Sequence, residues 1–267
     1  MLEAKHAYLI HGDEGTGKSL FLASAFVDIK TGLPTGRTGR ILDIEGRLDH
    51  LKVPPEFIED MRPAYGKPED IVGDKGKLRA WLARYLRAMN TGTLPYDVIG
   101  LDSLTELQFL MRLGMAKEAA SENPKEDKEV LSQRSWGLLG DRLAYDIGYM
   151  RPRYTGANLI VTVYSQDDRD NPKVLEAIKR PALQGALVDK IGHFFDFIIY
   201  VEIKRLGRSD DAEVVHRYHF KSNGDFKTKN ILEHEGRLPA YLDGTAENPV
   251  TFDMVQQYIG DNSGTSD

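Results

Sequence analysis

The chain has 267 residues, 41% hydrophobic and 28% charged, which is enough apolar material for one sizeable core and rules out wholesale disorder. It has no Cys, which excludes disulfides, thiolate metal sites and a Cys nucleophile and fits a reducing compartment. Lys+Arg number 35 against 41 Asp+Glu, a net charge of −6, so the chain does not coat nucleic acid indiscriminately and any such contact needs a local basic surface. The start, Met1 to His6, lacks signal-peptide shape, and no apolar run approaches the ~18 residues of a membrane span, so the expected location is the cytoplasm.

Ala7-Tyr8-Leu9-Ile10, ending in His11-Gly12, predicts a short buried strand. A glycine-rich turn follows, then a helical stretch through Leu20, Phe21, Ala25 and Phe26, closed by the turn cluster 31–36. Ile41 to Ile44 predicts a second strand, and residues 52–74, rich in Pro, Gly and acid, predict a loop. Leu78, Trp81, Leu82, Tyr85, Leu86 and Met89 recur at spacings of three and four, the mark of an amphipathic helix. Asp97 to Asp102 predicts a third strand and residues 103–116 a helix, with a mobile polar loop over 119–128. Helical spacing returns over 135–150. A fourth strand is expected over Leu159 to Tyr164, followed by a charged segment over 166–180. Phe194 to Val201 predicts a fifth strand, and the alternation over 213–221 a sixth, antiparallel one. Strands alternating with helices predict an α/β fold, a mainly parallel sheet with helices on both faces and a C-terminal antiparallel extension. One domain is expected over 1–260, with a disordered polar tail over 261–267.

Gly12-Asp13-Glu14-Gly15-Thr16-Gly17-Lys18-Ser19 satisfies G-x-x-x-x-G-K-[ST] in full, between a predicted strand and a predicted helix. Glycines let consecutive backbone N–H groups curl around a phosphate. Lys18 is expected at the β- and γ-phosphates, Ser19 on Mg²⁺, and Leu20 at the edge of the nucleotide site. The expected ligands are therefore ATP and Mg²⁺. Such a loop needs an acid on a neighbouring strand for the hydrated metal. Asp102, ending the run Val98 to Leu101 and followed by Ser103, has that form, although Asp102 or Ser103 could instead cap the next helix. Hydrolysis also needs a group that takes the proton of the attacking water. Glu45, just past the second strand and on the same side as Asp43 by period two, is the expected base, with Glu106 as its rival.

The loop at 12–19, the segment Asp43-Ile44-Glu45-Gly46-Arg47-Leu48-Asp49 and the strand ending Asp102-Ser103 together resemble the RecA-like ATPase core. The resemblance runs over about residues 5–240. It is closest to the short phage ATPases often classed as AAA-family, of the Sak type of single-strand annealing proteins. Further support comes, in order, from Gln133 to Gly137, Pro181 to Gly185, Phe226 to Asn230 and Gly236 to Pro239. The resemblance implies that Glu45 is the general base. It implies that the fourth strand lies between the Walker A and Walker B strands, so that Gln166 at its end senses the γ-phosphate; phage relatives often carry a His near there. It also implies that Lys227 and Lys229 reach the nucleotide of an adjacent subunit, Ile231 standing where an Arg is often found. About six residues precede the first strand, so no N-terminal linking arm is expected, and the homo-oligomer with nucleotide at its junctions forms through other surfaces.

Single-stranded DNA is the partner this resemblance implies, and a DNA-stimulated ATP hydrolase acting in phage recombination, annealing or replication is the function. The loop after the fourth strand offers Arg169, Lys173, Lys179 and Arg180, and the segment before that strand Arg151 and Arg153. The basic positions Lys75, Lys77, Arg79, Arg84 and Arg87 lie on a helix whose aromatics, Trp81 and Tyr85, are expected in the core. Two alternatives stand beside the hydrolase: an ATP-switched DNA-binding or assembly protein with little turnover, and a P-loop kinase of a small substrate. The kinase would need a lid with arginines and an acceptor site, and neither is visible in the sequence.

Overall fold

The apolar runs pair side by side into a parallel sheet, as strands buried on both faces do. In the computed structural model, which describes residues 4–62, 77–91, 96–123, 127, 130–168, 178–185, 187–207 and 212–260, the chain opens with β1 (Ala7–Gly12), α1 (Lys18–Ala23), β2 (Gly39–Asp43) and β3 (Ile58–Asp60). Then come α2 (Lys77–Asn90), β4 (Val98–Asp102), α3 (Leu104–Glu122), α4 (Gln133–Met150) and α5 (Pro152–Thr155). β5 (Asn158–Asp168), β6 (Ile178–Pro181), α6 (Leu187–Ile191) and β7 (Phe197–Leu206) follow, and β8 (Glu213–His219), β9 (Lys229–Asn230), β10 (Tyr241–Gly244) and α7 (Phe252–Gly260) close the described chain.

The strand order is β10-β8-β7-β1-β5-β4-β2-β3, with β6 added to β5 and β9 to β7. All pairs from β3 through β7 are parallel, and β7–β8, β8–β10, β5–β6 and β7–β9 are antiparallel. The protein is thus α/β, with a mainly parallel sheet and antiparallel C-terminal strands, and β5 lies between β1 and β4 as the resemblance implies. Period two divides the core. Ala7, Leu9, Leu159, Val161 and Val163 face α2, α3 and α4, while Tyr8, Ile10 and Ile160 face α1 and α7. Each fully buried Leu, Ile or Phe in these layers contributes roughly 1.5–3 kcal/mol.

Several boundaries differ from the sequence expectation. The loop expected at 52–74 holds the edge strand β3, whose three residues are too few to show an alternation. Helix α3 continues to Glu122, so the polar stretch 119–122 is helical; Met115, Ala116 and Ala120 bury one side and the charged residues face water. Helix α1 is short and tightens into i→i−3 bonds at Ala25 and Phe26 (3.2 and 2.9 Å). β5 runs on through Gln166 to Asp168 because β6 supplies a partner for its charged end. β7 begins at Phe197, and its outer half is exposed and pairs with β8. The basic face of α2 is partly paired within the chain: Arg79 meets Asp146 at 3.0 Å and Arg84 meets Glu59 at 3.1 Å. Lys75 and the tail at 261–267 lie outside the described residues.

Candidate functional site

The glycine-rich loop at 12–19 begins where β1 must pass close to β7. A Cβ on Gly12 would lie 2.3 Å from the Val201 carbonyl oxygen and 2.7 Å from Thr16 Oγ1, so only glycine fits. Gly15 and Gly17 turn the loop at φ +76° and +99°. The Thr16 hydroxyl donates to the Asp13 carbonyl at 2.8 Å. The buried Lys18 ammonium donates to the Gly12 and Asp13 carbonyls (3.0 and 2.7 Å) and stands 4.8 Å from the Tyr164 ring centre. Burial lowers its pKa, and Asp102 and Glu45 oppose that shift. From β8, His216 Nδ1 lies 2.8 Å from the Thr16 carbonyl and the Tyr218 hydroxyl donates to the Gly17 carbonyl at 3.0 Å. Below the loop, His11 bridges Ser165 Oγ (2.9 Å) and the Lys227 carbonyl (2.7 Å).

The Ser19 hydroxyl donates to Asp102 Oδ2 at 2.8 Å, and Thr162, from the adjacent strand, donates to Asp102 Oδ1. Asp102 is 2% exposed, and burial pushes its pKa up to about 6; the Thr162 bond opposes the shift and the Glu45 carboxylate adds to it. Ser103, not Asp102, caps α3, accepting the Glu106 N–H at 3.3 Å. Asp102 is therefore not used as the helix cap, and its carboxylate, held by Ser19 and Thr162, lines the cleft. A hydroxyl and a carboxylate are hard oxygen donors that leave positions for water and phosphate, as Mg²⁺ prefers. Among the described residues no cluster of His, Cys, Asp and Glu offers a competing metal site.

Glu45 reaches the same cleft by a turn rather than by strand periodicity. The N–H groups of Ile44 and Glu45 both donate to the Asp102 carbonyl (2.7 and 3.3 Å), and Asp43 accepts the N–H of Gly46 at 2.7 Å. This swings the Glu45 carboxylate against Ser103, whose hydroxyl donates to Oε1, and Tyr164, whose hydroxyl donates to Oε2 at 3.0 Å. Arg47 Nε lies 3.5 Å from Glu45 Oε2, and Nη1 lies 2.6 Å from Glu14. The cleft, about 320 Å³, is lined by Gly15, Lys18, Ser19, Leu20, Glu45 and Asp102 among others. Glu106 lies close enough to raise electrostatic repulsion with Glu45 but does not line the cleft.

Gln166 is not brought to this cleft. Its amide donates to the Leu183 carbonyl at 3.4 Å and lines a separate hollow with Thr105 and Gln108, because β5 carries it past the sheet edge toward β6. Thr162 and Tyr164, on the same face of β5, stand at Asp102 and Glu45 instead. Within its own chain the Lys229 ammonium donates to the carbonyls of Gly192 and Phe195 (3.0 and 2.6 Å), just past α6. Lys227 is more exposed and lies 3.5 Å from Asp168. Of the DNA candidates after β5, Lys179 pairs with Asp167 (3.1 Å) and Asp13 (3.3 Å), and Arg180 with Asp168 (3.4 Å). Arg169 and Lys173 lie outside the described residues.

Sequence reasoning missed Thr162, Tyr164, Arg47, His216 and Tyr218. Arg47 and Tyr164 had a signal, since Arg47 lies two residues past Glu45 and Tyr164 closes the apolar run expected as the fourth strand. The β8 residues had none, because the strand pairing that brings them over the loop spans about 200 residues of sequence.

No protein-family model matches the chain, and no curated protein does. Among solved structures it is similar to the flagellar accessory protein FlaH from Methanocaldococcus jannaschii, at 16% identity and a TM-score of 0.47, over 91% of this chain and 86% of that one. A likeness this distant carries no residue or activity across, so the site is interpreted from this chain's own residues. No helix among the described residues is long and apolar enough to cross a membrane.

Proposed function

We propose that the protein is a RecA-like ATPase that hydrolyses Mg-ATP and works with single-stranded DNA as a homo-oligomer with nucleotide at its junctions. One observation carries the hydrolase reading: Lys18, the Ser19–Asp102 pair and the Glu45 carboxylate line a single cleft, with Glu45 held by Ser103 and Tyr164. In this reading Lys18 leaves the loop carbonyls for the β- and γ-phosphates. Ser19 and Asp102 hold Mg²⁺, which would neutralise charge developing on the phosphoryl oxygens. Glu45 orients a water and takes its proton, and Tyr164 keeps the carboxylate aimed. Arg47, with its guanidinium on the cleft wall beside Glu45, is a second cation of the same subunit, after Lys18, that could meet charge on the transferred group. DNA as partner rests on the sequence resemblance.

The switch reading, with nucleotide binding and little turnover, is favoured by the engagement of Lys229 within its own subunit, which leaves Lys227 alone of the pair for a neighbour's nucleotide. Titrating ATP hydrolysis against an oligo-dT strand separates the two. Turnover that rises with DNA and is abolished by Lys18→Ala supports the hydrolase. Tight Mg-ATP binding without turnover at any DNA concentration supports the switch. Full hydrolysis by Lys18→Ala refutes the phosphate-loop assignment underlying both.

A further inference from the structure

The helix α4 carries an aromatic face that the nucleotide site does not use. Arg142, Tyr145 and Tyr149 follow one another at spacings of three and four and so share one side of the helix. α5 adds Tyr154 to the same side. The ring centres of Tyr145 and Tyr149 are 4.6 Å apart and those of Tyr149 and Tyr154 5.1 Å, the latter pair stacked at 27°. Tyr145 is 57% exposed and Tyr154 41%. Isolated surface aromatics are ordinary, whereas two exposed tyrosines joined through a third, half-buried one that packs on the core are not.

Cations frame the row. The Arg153 guanidinium lies 4.5 Å from the Tyr154 ring centre and that of Arg79 5.7 Å from Tyr145. Arg142, three residues before Tyr145, is half-buried, with its Nη1 inside the protein. The two acids of the helix are already engaged, Asp141 by Lys190 at 2.8 Å and Asp146 by Arg79 at 3.0 Å. On a chain of net charge −6 this is a local cationic, aromatic surface. Stacking platforms edged by arginines suit unstacked bases on an anionic backbone, because every base presents a π-face and the guanidiniums meet the phosphates.

We infer that the tyrosine row on α4 and α5 is a stacking platform for a single-stranded nucleic acid. This rests on the reading that single-stranded DNA is the partner and supplies a surface for it away from the loop after β5. α5 is followed by β5, whose middle carries Thr162 and Tyr164, so one strand connects the platform with the nucleotide cleft.

The test is fluorescence anisotropy of a labelled oligo-dT with the full chain, alongside DNA-stimulated ATP hydrolysis, thermal melting and sedimentation. Tyr145→Ala/Tyr154→Ala, at the two exposed members of the row, should weaken binding by about tenfold or more, as loss of a stacked base does, with melting little changed. Tyr145→Phe/Tyr154→Phe should bind within about twofold, because the π-face remains. Arg142→Ala and Arg153→Ala should each flatten the salt dependence by roughly 0.7 in the log–log slope per lost phosphate contact. If wild type binds oligo-dT and the alanine pair binds equally well, the platform is overturned while DNA as partner stands. If wild type binds no oligonucleotide, both fall together. If the alanine pair alters only the sedimentation of the protein, the face joins copies of the chain and the platform is again overturned.

Discussion

His11 gives the sharpest test of how the phosphate loop is supported. It is fully buried between β5 and the segment leading to β9, and burial lowers its pKa to about 4; the Lys227 carbonyl opposes the shift and Lys18 adds to it. A histidine held below its ordinary 6.5 contributes stability that is complete above pH 6.5 and is lost as the pH falls toward 4, because the unfolded chain takes up the proton first. With these two values the loss is about 2 kcal/mol at pH 5 and about 3 kcal/mol at pH 4. Other groups titrate in the same window, so the measurement is a comparison. Urea unfolding of wild type and His11→Asn is recorded at pH 7.5 and pH 5, the asparagine being unable to ionise. The variant is expected to be less stable at pH 7.5, having lost a bridge between Ser165 and Lys227. The gap should shrink by about 2 kcal/mol at pH 5. A gap that stays constant across pH would refute the argument that a neutral, buried imidazole supports the loop.

Three further outcomes are expected. Glu45→Gln should retain nucleotide binding and lose roughly 10²–10⁴-fold in turnover, since the amide cannot accept the water's proton; single-turnover hydrolysis checks it, and normal turnover in this variant with loss in Glu106→Gln would transfer the role to Glu106. Tyr164→Phe keeps the ring beside Lys18 but frees one Glu45 oxygen, so kcat should fall by about tenfold or more while nucleotide affinity holds within about twofold, measured by steady-state kinetics and equilibrium binding. Lys229→Ala strands the Gly192 and Phe195 carbonyls and should cost about 1–3 kcal/mol in urea unfolding with ATP affinity unchanged; unchanged stability with hydrolysis lost, and restored by mixing with Glu45→Gln subunits, would return this lysine to the subunit junction.

Some local placements were legible in the sequence. The turn at 12–19 was legible because its glycines, lysine and hydroxyl stand at fixed spacing along one contiguous segment, the arrangement that the proposed phosphate binding requires. The place of Asp102 beside Ser19 followed from its position at the end of a wholly apolar strand next to that turn. The division of the core was legible too, since alternation along β1 and β5 assigns each residue to a face. What needed the tertiary structure was everything carried by pairing between distant strands. Glu45 owes its aim to N–H bonds onto the Asp102 carbonyl, a contact over nearly sixty residues that strand periodicity alone does not contain. Gln166 was drawn away from the cleft because β6 pairs the end of β5, and Lys229 was claimed by carbonyls past α6. His216 and Tyr218 hold the loop from a strand some two hundred residues away. A motif encodes groups that are neighbours along the chain. The second ring of contacts is set by which strands lie side by side, and hydrogen bonding across a sheet leaves little trace in the order of residues along it.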